Sequence, residues 1–110
     1  MAIFIKDDSV ILGNLHPDVA KAAFDLERVY RKKFGVDLVI TSGNDGTHKK
    51  NSFHYKDSAI DIRVKNVPRR RWTELLTECR QAISDDLFDV VLELNPGHEH
   101  IHVERDPKHF

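Results

Sequence analysis

The sequence predicts a small α+β domain in which two helices pack on one face of a mainly antiparallel sheet. Three observations indicate this class: a clear helical period near the N-terminus, a second helical stretch after residue 68, and short β-branched or alternating segments elsewhere. A chain of 110 residues with 40% apolar content is large enough for a single core. Residues 1–110 are therefore predicted to form one domain, and we expect a monomer.

The two predicted helices have clear limits and clear apolar faces. The first covers residues 17–34, where Pro17 suits the first helical position and Gly35 the position just past the end. The second begins at Pro68 and extends to about Ser84. Helical spacing gives the first helix a buried face of Val19, Ala22, Ala23, Leu26, Val29, Tyr30 and Phe34. The corresponding stripe of the second helix is Trp72, Leu75, Leu76, Cys79 and Ile83.

Strands are predicted between and after the helices. The predicted strands are residues 37–41, 59–64, 88–93 and 98–104. A turn-rich stretch follows the first strand at residues 42–46, and Leu94-Asn95-Pro96-Gly97 precedes the last strand. Alternation in the second strand places Ile60, Ile62 and Val64 on one face and Ala59, Asp61 and Arg63 on the other.

Two segments supply the side chains that a catalytic zinc ion requires. Residues 52–61 read Ser-Phe-His-Tyr-Lys-Asp-Ser-Ala-Ile-Asp, and His100-Ile101-His102 follows near the C-terminus. Zinc binds imidazole nitrogen and carboxylate oxygen readily, and three protein ligands leave the fourth tetrahedral position for water. Together the two segments predict a metal site, with Zn²⁺ as the ion best suited to it.

The first segment resembles the Ser-x-His-x-x-Gly-x-Ala-x-Asp signature of the D-alanyl-D-alanine metallopeptidases, which include vancomycin-resistance dipeptidases and phage endolysins. It is also similar to the zinc-binding segment of the hedgehog signalling domain, which shares their fold. The resemblance implies that His54, Asp61 and His102 bind zinc. The family glycine is Asp57 here, and Asp tolerates positive φ better than most residues.

The resemblance leaves two roles for His100. Alternation puts His98, His100 and His102 on one face of the closing strand and Ile101 and Val103 on the other. His100 could be a fourth protein ligand, which would close the site. The family instead implies that it lies beside the zinc and stabilises the developing oxyanion, and we favour that catalytic role.

Two glutamates compete as the general base that takes the proton of the zinc-bound water. Glu99 stands three residues before His102, which is the acidic-x-x-His spacing of the peptidases. Strict alternation puts Glu99 on the opposite face, so it requires a late or irregular strand start. Glu93 ends the preceding strand, where the hedgehog fold places an acidic residue. Spacing favours Glu99. Glu104 is predicted either to support a ligand histidine or to be a surface residue.

The resemblance implies hydrolysis of an amide bond in a D-amino-acid-containing peptidoglycan peptide. Ser52, His48 and Lys49 are the predicted substrate-binding residues. The family often places an arginine in the loop after the first strand, where it binds the carboxylate of the substrate, but residues 41–50 contain none. An endopeptidase that cleaves an internal bond is therefore as plausible as a carboxypeptidase that removes a C-terminal D-alanine. Lys49 or Lys50 could replace the arginine as a point charge. The alternatives are a non-catalytic hedgehog-like zinc module and a phage structural protein.

Composition excludes several other classes. A net charge of −1 argues against a dedicated nucleic-acid binder, whose affinity comes largely from neutralising phosphates. The single cysteine, Cys79, excludes an internal disulfide. No segment approaches transmembrane length, and residues 1–8 lack the apolar region of a signal peptide. We therefore expect cytoplasmic synthesis without membrane association, and release to the cell wall by another factor.

Overall fold

The structure is a computed structural model that describes residues 3–7, 15–43, 59–83 and 88–105. These residues form one mixed five-stranded sheet, in the order β1-β2-β3-β5-β4, and two α-helices. The strands are β1 (Ile3–Ile5), β2 (Leu38–Ser42), β3 (Ala59–Arg63), β4 (Phe88–Glu93) and β5 (His100–Arg105), and the helices are α1 (Pro17–Val29) and α2 (Trp72–Ala82). The predicted α+β class with two helices is confirmed.

The sheet is mixed because of an N-terminal strand that the sequence pattern did not reveal. Strand β1 pairs with β2 in parallel, whereas the other three pairings are antiparallel. Strand β1 has three residues, and the exposed Phe4 and Ile5 give it no alternation between buried and exposed positions. Such a short edge strand carries too little period to be recognised from sequence.

Helix α1 and the π-helical turn that continues it together begin and end where the sequence predicts. Pro17 is the first residue of α1, and the His16 Nδ1 atom accepts a hydrogen bond of 3.0 Å from the main-chain N–H of Asp18. After Val29 the chain continues through a wider π-helical turn, Tyr30–Phe34. Gly35 then stops the helix in the left-handed conformation, with φ 67°, and its N–H bonds to the carbonyl of Tyr30.

Helix α2 starts four residues later than Pro68. Pro68 precedes a short 3₁₀ turn, Arg69–Arg71, and the α-helix runs from Trp72 to Ala82. Trp72 is 7% exposed, so its predicted burial is confirmed. Its indole N–H donates to two main-chain carbonyls, those of Val64 at 3.0 Å and Val67 at 2.9 Å. Leu76 is only partly buried, unlike the rest of the predicted stripe.

The central strands β3 and β5 divide apolar from polar residues as the alternation predicts. In their antiparallel register Ile60 lies opposite Val103, and Ile62 lies opposite Ile101. All four side chains are fully buried in the core that also contains the helix stripes. The intervening pair, Asp61 opposite His102, therefore lies on the other face of the sheet. No helix within the described ranges is long and apolar enough to cross a membrane.

Strand β5 begins at His100, so the prediction that it starts at His98 is wrong. The N–H of His98 bonds instead to the carbonyl of Asn95 at 2.8 Å, and Gly97 has φ 80°. This turn holds His98 and Glu99 outside the ladder. Strict alternation consequently applies to His100 and His102 but not to Glu99.

Candidate metal centre

Three side chains converge on the face of the sheet opposite the core. Asp61 and His102 are directly paired across β3 and β5, and His100 is two residues from His102 on the same face. Asp61 Oδ1 lies 2.8 Å from His102 Nδ1 and 3.6 Å from His100 Nε2. One ligand atom from each residue lies within 4.8 Å of the others, so this partly buried group could hold a metal ion.

The spacing of these atoms fits a small tetrahedral ion. Metal–ligand bonds of about 2.0–2.1 Å separate neighbouring ligand atoms by about 3.3 Å at a tetrahedral centre. The two distances from Asp61 Oδ1, 2.8 and 3.6 Å, bracket that value. Two imidazoles and a carboxylate are also a donor set that zinc accepts. Side-chain adjustment would bring each histidine nitrogen and Asp61 Oδ1 to the separation that one ion requires.

Each histidine of the group is anchored through its outer ring nitrogen. His100 Nδ1 lies 2.7 Å from the main-chain carbonyl of His98. Because a carbonyl can only accept, Nδ1 is the donor of this bond, and the other ring nitrogen, Nε2, faces Asp61. His102 Nε2 lies 3.0 Å from Glu104 Oε1, the supporting contact predicted from sequence. Such contacts fix the ring orientation and tautomer of ligand histidines.

His102 carries a strongly perturbed pKa because two carboxylates bind its ring. Burial lowers the pKa, but hydrogen bonds to Asp61 and Glu104 outweigh this effect and raise it to about 9. Without a metal ion the ring is therefore an imidazolium at neutral pH, and both ring nitrogens donate. A metal ion at Nδ1 would replace one of these protons.

Both candidate bases lie near this group, in different environments. Glu93 is paired with His100 across β4 and β5, and its Oε2 lies 3.6 Å from His100 Nε2. Glu99 lines the cleft, and its side chain is only 15% exposed. Its carboxylate is 3.9 Å from both Lys65 Nζ and Arg69 Nη1. Among the residues that the structure describes, its buried Oε1 accepts no hydrogen bond.

The pKa of Glu99 is lower than usual. A hydrogen bond from its own main-chain N–H is the main cause, and the positive charges of Lys65 and Arg69 add to it. The carboxylate is consequently ionised at neutral pH.

A cleft of about 580 Å³ opens beside Asp61 and His100. Its rim includes a β-bulge, since the β2–β3 register shifts between Ile40 and Ser42 and Thr41 lies between them. Thr41 Oγ1 donates to the main-chain carbonyl of Asp61 at 3.4 Å. Bulges redirect side chains beside sites of this kind. The lining residues are Lys6, Thr41, Ser42, Asp61, Arg63, Lys65, Asn66, Gly97, His98, Glu99 and His100.

The structure describes some of the predicted site residues, and the others lie outside the described ranges. It brings Asp61 and His102 together and adds His100, which sequence reasoning had considered as a further ligand. The third predicted ligand, His54, lies outside the described residues. So do the predicted substrate-binding residues Ser52, His48 and Lys49. Arg63 was not singled out, although its alternation with Asp61 placed it on the same face.

Comparison with models of known protein families gives no match to this chain, and comparison with curated protein sequences gives none either.

Proposed function

We propose that this chain is a zinc-dependent peptidase domain of the D-alanyl-D-alanine peptidase and hedgehog-like fold. It would hydrolyse an amide bond in a D-amino-acid-containing peptidoglycan peptide. The observation that carries the proposal is the convergence of Asp61, His100 and His102 beside an open cleft, which Asp61 and His100 line together with the ionised Glu99. The substrate class comes from the sequence signature alone.

Zinc is the ion that the donor set supports best, because two imidazoles and one carboxylate suit it better than the oxygen-seeking calcium or magnesium. When bound, zinc lowers the pKa of a coordinated water towards about 7 and polarises a carbonyl group. Asp61 and His102 would hold the ion together with His54 from the signature segment. His100 would then donate a hydrogen bond to the developing oxyanion.

We assign the general base to Glu99. The condition for this role was a late strand start, and β5 begins one residue after Glu99. Its carboxylate is ionised, lines the cleft with Asp61 and His100, and has an oxygen that is not committed to a donor among the described residues. Such an oxygen can take a proton from water and pass it to the leaving amine. Glu93 is more exposed, at 40%, and its contact with His100 suits an orienting role.

The proposal is tested by zymography on purified peptidoglycan with and without a chelator. Glu99→Gln should keep metal bound and lower turnover by about 10²–10⁴-fold, as expected for loss of general acid–base catalysis. Glu93→Gln is the matched comparison, and it should lower turnover much less than Glu99→Gln does. If Glu93→Gln loses turnover and Glu99→Gln does not, the base is Glu93. An inactive but metal-loaded wild-type protein would refute the peptidase assignment.

A non-catalytic zinc module is the second candidate, and the position of His100 favours it. If His54 and His100 both bind the ion with Asp61 and His102, four protein ligands complete the tetrahedron and exclude water. His100→Ala distinguishes the two candidates. Loss of metal and of thermal stability would support the closed structural site, whereas retained metal with slower hydrolysis would support the peptidase.

A further inference from the structure

Arg63 lies directly beside the candidate metal centre. It is two residues after Asp61 on β3, so the two side chains share a face of the sheet. In the β3–β5 register it is paired with His100. The Cβ atoms of two residues paired in this way are about 5 Å apart. Arg63 is partly buried and lines the cleft together with Asp61 and His100.

The guanidinium of Arg63 differs from its basic neighbours in having no partner within the described part of the chain. Lys65 Nζ donates to the carbonyl of Gly97 at 3.0 Å and lies 3.9 Å from Glu99. Arg69 lies 3.9 Å from the same carboxylate. The contact of Arg63 is made by its main chain, where its carbonyl accepts from the Tyr30 hydroxyl at 2.7 Å. Its side chain is therefore available to a ligand.

A free guanidinium in a cleft is suited to one kind of ligand group. Its planar array of N–H donors matches a carboxylate, with two parallel hydrogen bonds. Lys6 and Lys65 also line this cleft and strengthen its positive potential near Arg63. Asp61 and Glu99 are the acidic groups in the same cleft, and no ion pair joins either of them to Arg63 in the described ranges.

We propose that Arg63 binds a carboxylate of the substrate peptide and thereby selects which amide bond is cleaved. This inference rests on the proposed peptidase function. Because an extended peptide advances about 3.3–3.6 Å per residue, a carboxylate at Arg63 places the scissile bond within one or two residues of it. The carboxylate is either the C-terminal one or that of an acidic side chain, and both offer the same group to the guanidinium.

Three synthetic stem peptides separate these sources. One has a free C-terminus and a free acidic side chain, one has a C-terminal amide, and one has an amidated side chain. The wild-type protein should prefer the peptides that keep the recognised carboxylate by about 10- to 100-fold in kcat/KM, the value of charge-assisted hydrogen bonds. The amidated peptide that is cleaved with the lower kcat/KM shows which of the two carboxylates Arg63 binds.

Arg63→Gln should remove the preference, mainly by raising KM, while metal content and turnover at saturation stay close to wild type. Arg63→Lys should restore part of it. Arg28→Gln is the matched control, because Arg28 is an exposed arginine on α1, which packs on the opposite face of the sheet. Equal kcat/KM of Arg63→Gln and wild type on all three peptides would overturn the inference.

If the proposed peptidase function is wrong, the metal-loaded protein will hydrolyse none of the three peptides. In that case binding of N-acetyl-D-alanine and of its amide is followed by NMR shift titration. Tighter binding of the carboxylate, lost in Arg63→Gln, would still support Arg63 as an anion-binding residue. Equal binding of both probes would overturn it.

Discussion

Replacement of Trp72 by alanine should destabilise the fold by about 3–5 kcal/mol, the usual cost of deleting a large core aromatic side chain. The indole is 7% exposed and belongs to the buried apolar core. Its N–H also donates to the carbonyls of Val64 and Val67, which belong to the connection between β3 and α2. Since small domains are stable by only about 5–15 kcal/mol, this loss is a large fraction of the total.

Trp72→Phe separates the two contributions. Phenylalanine keeps most of the aromatic packing but leaves both carbonyls without this donor, which costs about 1–3 kcal/mol. Urea unfolding should be followed by far-UV circular dichroism, because Trp72 is the sole tryptophan and its loss removes the fluorescence signal. The exposed neighbour Thr73 supplies the control, and Thr73→Ala should change stability by less than about 0.5 kcal/mol. A Trp72→Ala variant within about 1 kcal/mol of wild type would refute the packing argument.

Three further predictions concern the metal centre and the core thiol. The purified chain should carry about one zinc ion per molecule. Alanine variants of His54, Asp61 and His102 should each lose most of this zinc, because each variant keeps too few ligands, and elemental analysis measures the loss. Full zinc occupancy in all three variants would contradict the ligand set. The pKa of His102 rises from 6.5 to about 9 in the metal-free protein. Its contribution to folding stability is therefore complete below pH 6.5 and is lost as the pH rises through about 9, while zinc affinity rises over the same window. Urea unfolding of the metal-free protein and chelator-competition titrations, both between pH 6 and pH 9, check this, and flat profiles would exclude it. Burial raises the pKa of the Cys79 thiol to about 12, so iodoacetamide should alkylate it only after unfolding; rapid alkylation of the native protein would show that the thiol is accessible.

Much of the fold could be predicted because strong local periods coincide with burial. The apolar spacing of α1, the stop at Gly35 and the alternation of Ile60 and Ile62 all reflect the core that they form. Strand β4 was predicted with its observed limits, Phe88–Glu93. The parallel pairing of β1 is different, since three residues joined to a distant strand leave no local pattern in the sequence.

The candidate site was predictable where it depends on alternation and less so where it depends on the turn before β5. Asp61 and His102 share a face because their strands keep strict period two. Sequence alone did not fix the start of β5, which depends on the bond from His98 to Asn95 and on the left-handed Gly97. The position of Glu99 depends on that turn. Arg63 gives no signal in the sequence, because an alternating polar residue is common on a half-exposed strand, and its position opposite His100 follows only from the strand register.

The direct pairing of Asp61 with His102 also links the candidate metal centre to the order of folding. These residues are separated by 41 positions in the chain, so their contact requires closure of a long loop. A slip of one residue between β3 and β5 would turn Asp61 or His102 towards the helices and expose buried isoleucines, so the core itself enforces the ligand geometry. Partly folded chains that lack this strand pair therefore cannot present the two ligands together. Tight metal uptake during refolding would mark the moment at which the two central strands join in register.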